Sequence, residues 1–236
     1  MSGGVVLVLG SGPRATRAAD WPRAPFTQIV AINNAWQVRP DWDFLIHPDD
    51  FPPAQQPAAQ GPDQRIIRSD AYVPIQNTYG GFVYAGGTMS FTAGYWALGA
   101  LKPRVLAYLG CDMVYPDTGP THFYGTGTAD PLRDDISLRN LEAKSARLML
   151  LAAAQGCACV NLSDDESRLV FPRATLDSLA GQRPITPPSF AAALAQEKRL
   201  GYIVPSGKYW KEESRFDPAA IDALDQLWFS TLTAAP

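Results

Sequence analysis

Six short apolar runs, rich in β-branched residues, recur along the chain at 5–9, 29–32, 44–46, 65–67, 105–109 and 157–160. Several, Val5-Val6-Leu7-Val8-Leu9 above all, lack the alternation of a strand with one wet face, so both of their faces must be covered. Helical patterns lie between them. The clearest begins after Asp134-Asp135, with Leu138, Leu141, Leu148 and Leu151 on one stripe and Gly156 as its stop. Strand, helix, strand, repeated, predicts the α/β class: a single Rossmann-like domain with a mostly parallel sheet and helices on both faces. Ligands of such sheets sit beyond the carboxyl ends of the strands, so the residues just after each run are where chemistry is expected.

The 236 residues suffice for one such domain with a small appendage, not for two large ones. The Rossmann-like domain is expected over 1–180 and a helical C-terminal extension over 181–236. There Thr186-Pro187-Pro188 opens an Ala-rich helix closed by Gly201, and Asp217-Pro218 opens another with Ile221, Leu224, Leu227 and Trp228 on one face. The last helix is expected to pack on the sheet. Between them, Gly201 to Lys211 interleaves aromatics with positive charge, a candidate lid, acceptor shelf or contact with a second copy in a homo-oligomer. Two Pro-rich stretches interrupt the pattern: 52–62 reads as a spacer, and 116–131, with its polar aromatics, as a functional loop.

A hydrophobic fraction of 46% with only 18% charged residues predicts a packed globule. With 20 Lys+Arg against 23 Asp+Glu there is no basic excess to neutralise a phosphate backbone, so nucleic acid is not an expected partner. The first apolar run is too short for a signal core or a transmembrane segment, and a cytoplasmic location is the expectation. Cys111, Cys157 and Cys159 form no CxxC pair and read as buried thiols.

Gly10-Ser11-Gly12-Pro13 follows the first run and leads into a helical segment, a turn that brings backbone N–H groups and a helix start toward an anion. The same glycines also suit a tight βα turn for geometry alone. The second run ends in Asn33-Asn34 instead of the acidic residue that a dinucleotide site requires, so NAD is not expected, whereas two amides suit a ribose, base or phosphate. Gly86-Gly87-Thr88-Met89-Ser90 precedes a helix and offers the hydroxyls of Thr88 and Ser90 as caps or ligand contacts. The fifth run ends in Gly110-Cys111-Asp112, followed by Tyr115, His122 and Tyr124. The chain has two histidines. His122, in the loop, is the candidate general base, and His47 reads as a hydrogen-bonded residue at a strand end. His47, Asp49 and Asp50 match no specific ligand spacing for a metal.

In order and spacing, Leu9-Gly10-Ser11-Gly12-Pro13, Ala31-Ile32-Asn33-Asn34, Gly87-Thr88-Met89-Ser90 and Tyr108-Leu109-Gly110-Cys111-Asp112 resemble the bacterial family-42 sialyltransferases and the 6-hydroxymethylpterin diphosphokinase-like domain of motility accessory factors, over residues 5–163. The sialyltransferase resemblance implies that Gly10, Ser11, Gly12, Asn33, Thr88 and Ser90 hold a cytidine-monophosphate sugar. It further implies that Tyr115 and Tyr124 steady the departing phosphate, and that no metal cofactor is used. The turn reads G-S-G-P-R where those proteins have G-N-G-P-S. Their catalytic histidine lies farther along, where this chain has Pro131 to Asp135 and no histidine, so His122 would have to substitute. The pterin-kinase resemblance implies ATP with magnesium held by Asp49, Asp50 and Asp112.

The expectation is a transferase that moves a sialic-acid-like sugar from a nucleotide donor to a glycan or small hydroxyl acceptor. His122 would be the base, Asp112 would shape the loop, Tyr115 and Tyr124 would meet the leaving phosphate, and Asn34 would stand beside Asn33 at the nucleoside. A magnesium-dependent phosphotransferase and a non-catalytic nucleotide- or glycan-binding module are the alternatives.

Overall fold

The computed structural model describes residues 3–116, 118–127 and 133–233. Six parallel strands, β1 (Val5–Leu9), β2 (Phe26–Ile32), β3 (Phe44–Ile46), β4 (Arg65–Ile67), β5 (Val105–Leu109) and β6 (Ala158–Asn161), form one open sheet in the order β4-β3-β2-β1-β5-β6. The α-helices are α1 (Ser69–Thr78), α2 (Phe82–Ala85), α3 (Met89–Ala100), α4 (Leu141–Ala154), α5 (Ala191–Leu200) and α6 (Pro218–Thr233). The α/β, Rossmann-like architecture is thus the one that the apolar runs predict. β2 begins three residues before its run, at Phe26; Thr27 there is exposed, and its hydroxyl donates to the Val5 carbonyl (3.0 Å).

Every residue of β1 and β5 is buried. Val6, Val8, Leu106 and Tyr108 belong to one core layer with Phe91 and Tyr95 of α3 and Leu148 of α4. Val5, Leu7, Leu9, Val105, Ala107 and Leu109 face the other way, toward Ala15, Ala18 and Leu179. Those last three lie in short 3₁₀ helices, Pro13–Asp20 and Leu176–Gly181, so α-helices cover one face and tighter turns the other. Burial on both sides explains the missing alternation.

α4 starts at Leu141, not near Leu138, because two caps divide the predicted stripe. Asp135 accepts from Ser137 N (2.8 Å) and opens a 3₁₀ turn, Ile136–Leu138, and Asn140 accepts from Ala143 N (2.9 Å) and opens the helix proper. The last helix does not pack on the sheet as expected. α6 lies against α4 and α5, with Leu224 and Trp228 in one cluster with Leu150 of α4 and Ala193 of α5. The reason is electrostatic as well as apolar. α4 carries the buried cations Lys144 and Arg147, and the C-terminal helices deliver their partners, Asp225 (2.8 Å) and Glu197 (2.7 Å). Among the described residues no helix is long and apolar enough to cross a membrane.

The chain builds outward from β1 through β4, then α1, α2 and α3 return it to β5 on the other side of β1. That reversal sends the connections leaving β1 and β5 apart and opens a crevice above their carboxyl ends.

Candidate functional site

A cavity of about 550 Å³ occupies that crevice, within the usual size of small-molecule sites. It is lined by Gly10, Ser11 and Gly12 after β1, Asn33 and Asn34 after β2, Thr88 and Ser90 at the start of α3, and Asp112, Tyr115, His122 and Tyr124 after β5. Every residue singled out for nucleotide contact or transfer chemistry therefore meets in one hollow.

The glycine turn is built differently from the expected anion cradle. Gly10 N–H donates to Leu109 O (2.8 Å) and Gly12 N–H to Gly110 O (2.9 Å), so both donors are used to weld β1 to β5. A β-carbon on Gly10 would lie 2.3 Å from Gly110 O and 2.6 Å from Cys111 Sγ, and Gly110 itself has φ +70°. Close approach of two strand ends thus accounts for the glycines. For a ligand anion this leaves Ser11 N–H and Arg14 N–H, neither with a partner among the described residues. The Ser11 hydroxyl donates to Ile32 O (3.3 Å) and ties the turn to the end of β2.

The two asparagines divide. Asn34 is buried and committed, donating to Gln55 Oε1 (3.3 Å) and accepting from Gln37 (3.4 Å). Asn33 adopts φ +51°, and its Oδ1 is buried with no partner among the described residues. An orphaned acceptor on a residue held in the left-handed region is the kind of strain that ligand sites retain. Of the two hydroxyls at α3, Thr88 is the cap, accepting from Phe91 N (3.3 Å), while Ser90 Oγ is buried beside the Cys111 thiol. Burial pushes that thiol up to about 12, which removes Cys111 as a nucleophile at neutral pH.

Beyond β5, Asp112 accepts from Asn161 Nδ2 (3.0 Å), bracing the strand end against β6. Met113 follows at φ +55°. The loop then folds back over the crevice: Phe123 N–H donates to Ser11 O (3.1 Å), and His122 and Gly125 exchange backbone hydrogen bonds. His122 Nδ1 lies 2.8 Å from Thr121 Oγ1, and its ring stacks on Tyr124 at 5.0 Å, with Tyr115 at 5.9 Å. The tyrosines and the histidine thus form one aromatic cluster. Pro131 and residues 117, 128–130 and 132 lie outside the described residues.

His47 is 1% exposed, lies 2.8 Å from Pro48 O through Nδ1, and lines no part of the crevice. Asp49 is likewise turned away and accepts from the Ser69 hydroxyl (2.5 Å). Among the described residues Asp49, Asp50 and Asp112 form no cluster able to hold a metal ion. The wall also contains residues that the sequence did not single out: Arg14, Phe51, Gln55, Asp165 and Glu166. Gln55 comes from the stretch read as a spacer, and its backbone carbonyl also accepts from the Trp36 indole (2.9 Å). Its alanine- and proline-rich setting carried no signal of this. Among the described residues Arg14 is the one Lys or Arg of the wall and is paired with Asp165 (2.7 Å), whereas Asp50, Asp112, Asp165 and Glu166 are all acidic. Comparison with known proteins finds no matching family model, characterised protein or solved structure.

Proposed function

We propose that this chain is a metal-independent glycosyltransferase that takes a sialic-acid-like sugar from a cytidine-nucleotide donor and passes it to a hydroxyl acceptor. The observation that carries the reading is the convergence of Ser11, Asn33, Ser90, Asp112 and His122 on one cavity at the point where the sheet order reverses. Charge narrows the donor. Among the described residues the wall holds four carboxylates and one already paired arginine, which disfavours a triphosphate that lacks a cation.

In this reading His122 takes the proton of the acceptor hydroxyl. The acceptor oxygen then bonds to the anomeric carbon as the carbon–oxygen bond to phosphate breaks, releasing the nucleoside monophosphate. The leaving phosphate is met by the Tyr115 and Tyr124 hydroxyls and by the N–H groups of Ser11 and Arg14. Asn33 supplies an acceptor to the nucleoside.

Thermal unfolding with CMP, CDP, UDP or ATP, with and without magnesium, tests this directly. A ligand at about 100 times its Kd adds ~2.7 kcal/mol, on the order of 5–10 °C for a chain of this length. Protection by CMP or CDP that magnesium does not change is the expected result. Protection by ATP only with magnesium would replace the reading with a phosphotransferase, and no shift with any nucleotide would leave a non-catalytic module.

A further inference from the structure

A second cavity, of about 630 Å³, adjoins the first. Pro48, Asp50 and Met89 stand in the walls of both, so the two cavities share this stretch of wall. The first turns of α3 serve both: Ser90 lines the first cavity, Thr92 the second, and Met89 the two together.

Three features describe what the second cavity would hold. Thr92 is 1% exposed, and its Oγ1 has no hydrogen-bond partner among the described residues although it lines the cavity. A dry, unpaired hydroxyl is unfavourable, and a polar atom of a ligand would remove that cost. Trp210 is 54% exposed and stands edge-on to Tyr209 (5.6 Å), which is itself stacked on Phe82 (6.0 Å) and donates to Asp135 (2.8 Å). An indole held by that support presents a face to a flat or ring-shaped ligand. Finally, Asp49, Asp50 and Asp135 outnumber Arg133 and Lys208 in the lining, and Asp50 has no side-chain partner among the described residues. Acceptor-only carboxylates suit a ligand rich in O–H donors and disfavour an anion.

We infer that the second cavity is the acceptor subsite and that it takes a neutral saccharide, with one ring on Trp210 and hydroxyls on Thr92 and Asp50. The acceptor role rests on the reading of the first cavity as the donor site; the saccharide site itself does not. Placed so, a hydroxyl of the sugar points past Asp50 and Met89 toward the donor.

Saturation-transfer NMR with lactose and N-acetylglucosamine, on the intact chain without nucleotide, tests it. Wild type should give saccharide signals. Trp210→Ala should weaken binding by about tenfold or more while CMP protection stays unchanged. Thr92→Val should also weaken saccharide binding, yet leave the melting temperature of the unliganded protein unchanged or raised, because the hydroxyl that it removes has no partner. Absence of saccharide signals in wild type, signals that survive both substitutions, or binding of an aromatic heterocycle such as 6-hydroxymethylpterin in place of sugars would overturn the inference. Saccharide binding that Trp210→Ala abolishes, in a protein that no nucleotide protects, would keep the saccharide site and remove the donor reading.

Discussion

Gly10→Ala separates the two uses of the first glycine turn. The added β-carbon falls 2.3 Å from Gly110 O and 2.6 Å from Cys111 Sγ. The Gly110 turn is itself crowded, since a β-carbon there would lie 2.8 Å from that of Ala15. Relief requires that the ends of β1 and β5 part, which weakens the Gly10–Leu109 and Gly12–Gly110 hydrogen bonds. At ~1 kcal/mol for each bond and ~1–3 kcal/mol for overpacking, the loss is about 3–5 kcal/mol. For a chain of this length that is a fall of roughly 6–20 °C in melting temperature. Gly12→Ala makes the milder contact, 3.0 Å from Gly110 O at φ −56°, and should cost about 1 kcal/mol or less. Urea unfolding of the two variants beside wild type is the assay. If Gly10→Ala is as stable as wild type and instead loses nucleotide protection, the glycine serves the phosphate and the strand-contact argument is wrong. A Gly12→Ala loss larger than that of Gly10→Ala would refute it equally.

Three further outcomes are expected. Arg147 is 1% exposed and donates to Glu197 (2.7 and 2.8 Å) and to the Tyr95 hydroxyl (2.8 Å), so Glu197→Ala should lose ~3–5 kcal/mol in urea unfolding; a loss below ~1 kcal/mol would show the pair to be incidental. Burial alone would raise the Asp135 carboxyl, but hydrogen bonds from Ser137, Tyr209 and Arg133 outweigh it and hold it below 3.8. A lowered carboxyl stabilises the fold above its unfolded value and loses that contribution as the pH falls through the folded one, so the stability gap between wild type and Asp135→Asn should be full above about pH 5 and close in acid. A gap that widens in acid would reverse the sign. His122→Ala should lower kcat by about 100-fold or more at unchanged nucleotide affinity, and full turnover in that variant would remove His122 from the chemistry.

The sheet was legible because burial on both faces leaves an unbroken apolar signature, and β1, β3, β4 and β5 coincide with their runs. α1 escaped notice because Ser69-Asp-Ala-Tyr-Val-Pro-Ile mixes Pro74 with too weak an apolar period. The limits of α3, Met89–Ala100, are not legible in the sequence, because a helix buried on nearly every side has no polar face to mark them. The ends of α4 depended on two caps, Asp135 and Asn140, of which only the tertiary setting decides which one starts the α-helix. At the site, residues that directly follow strands were found by the rule that ligands gather there. Arg14 and Asp165 were not, because a contact across some 150 residues leaves no local trace.

In this fold the functional weight shifts from the glycine backbone to side chains. A G-x-G turn invites a phosphate reading, yet its glycine N–H groups are used between strands, so the pattern reports how closely β1 and β5 approach. Among the buried polar atoms without a partner among the described residues, Asn33 Oδ1 belongs to the wall of the first cavity and Thr92 Oγ1 to that of the second, while the Gln76 amide and the Tyr108 hydroxyl belong to neither. At ~1–3 kcal/mol for each unpaired buried group, together they weigh heavily against a total stability of about 5–15 kcal/mol. A chain under selection for stability alone would replace them, as Thr92→Val could without loss of shape. The two that stand at adjoining cavities sharing Asp50 and Met89 fit the proposed group transfer, in which both cavities are filled at once and two bound molecules are held side by side.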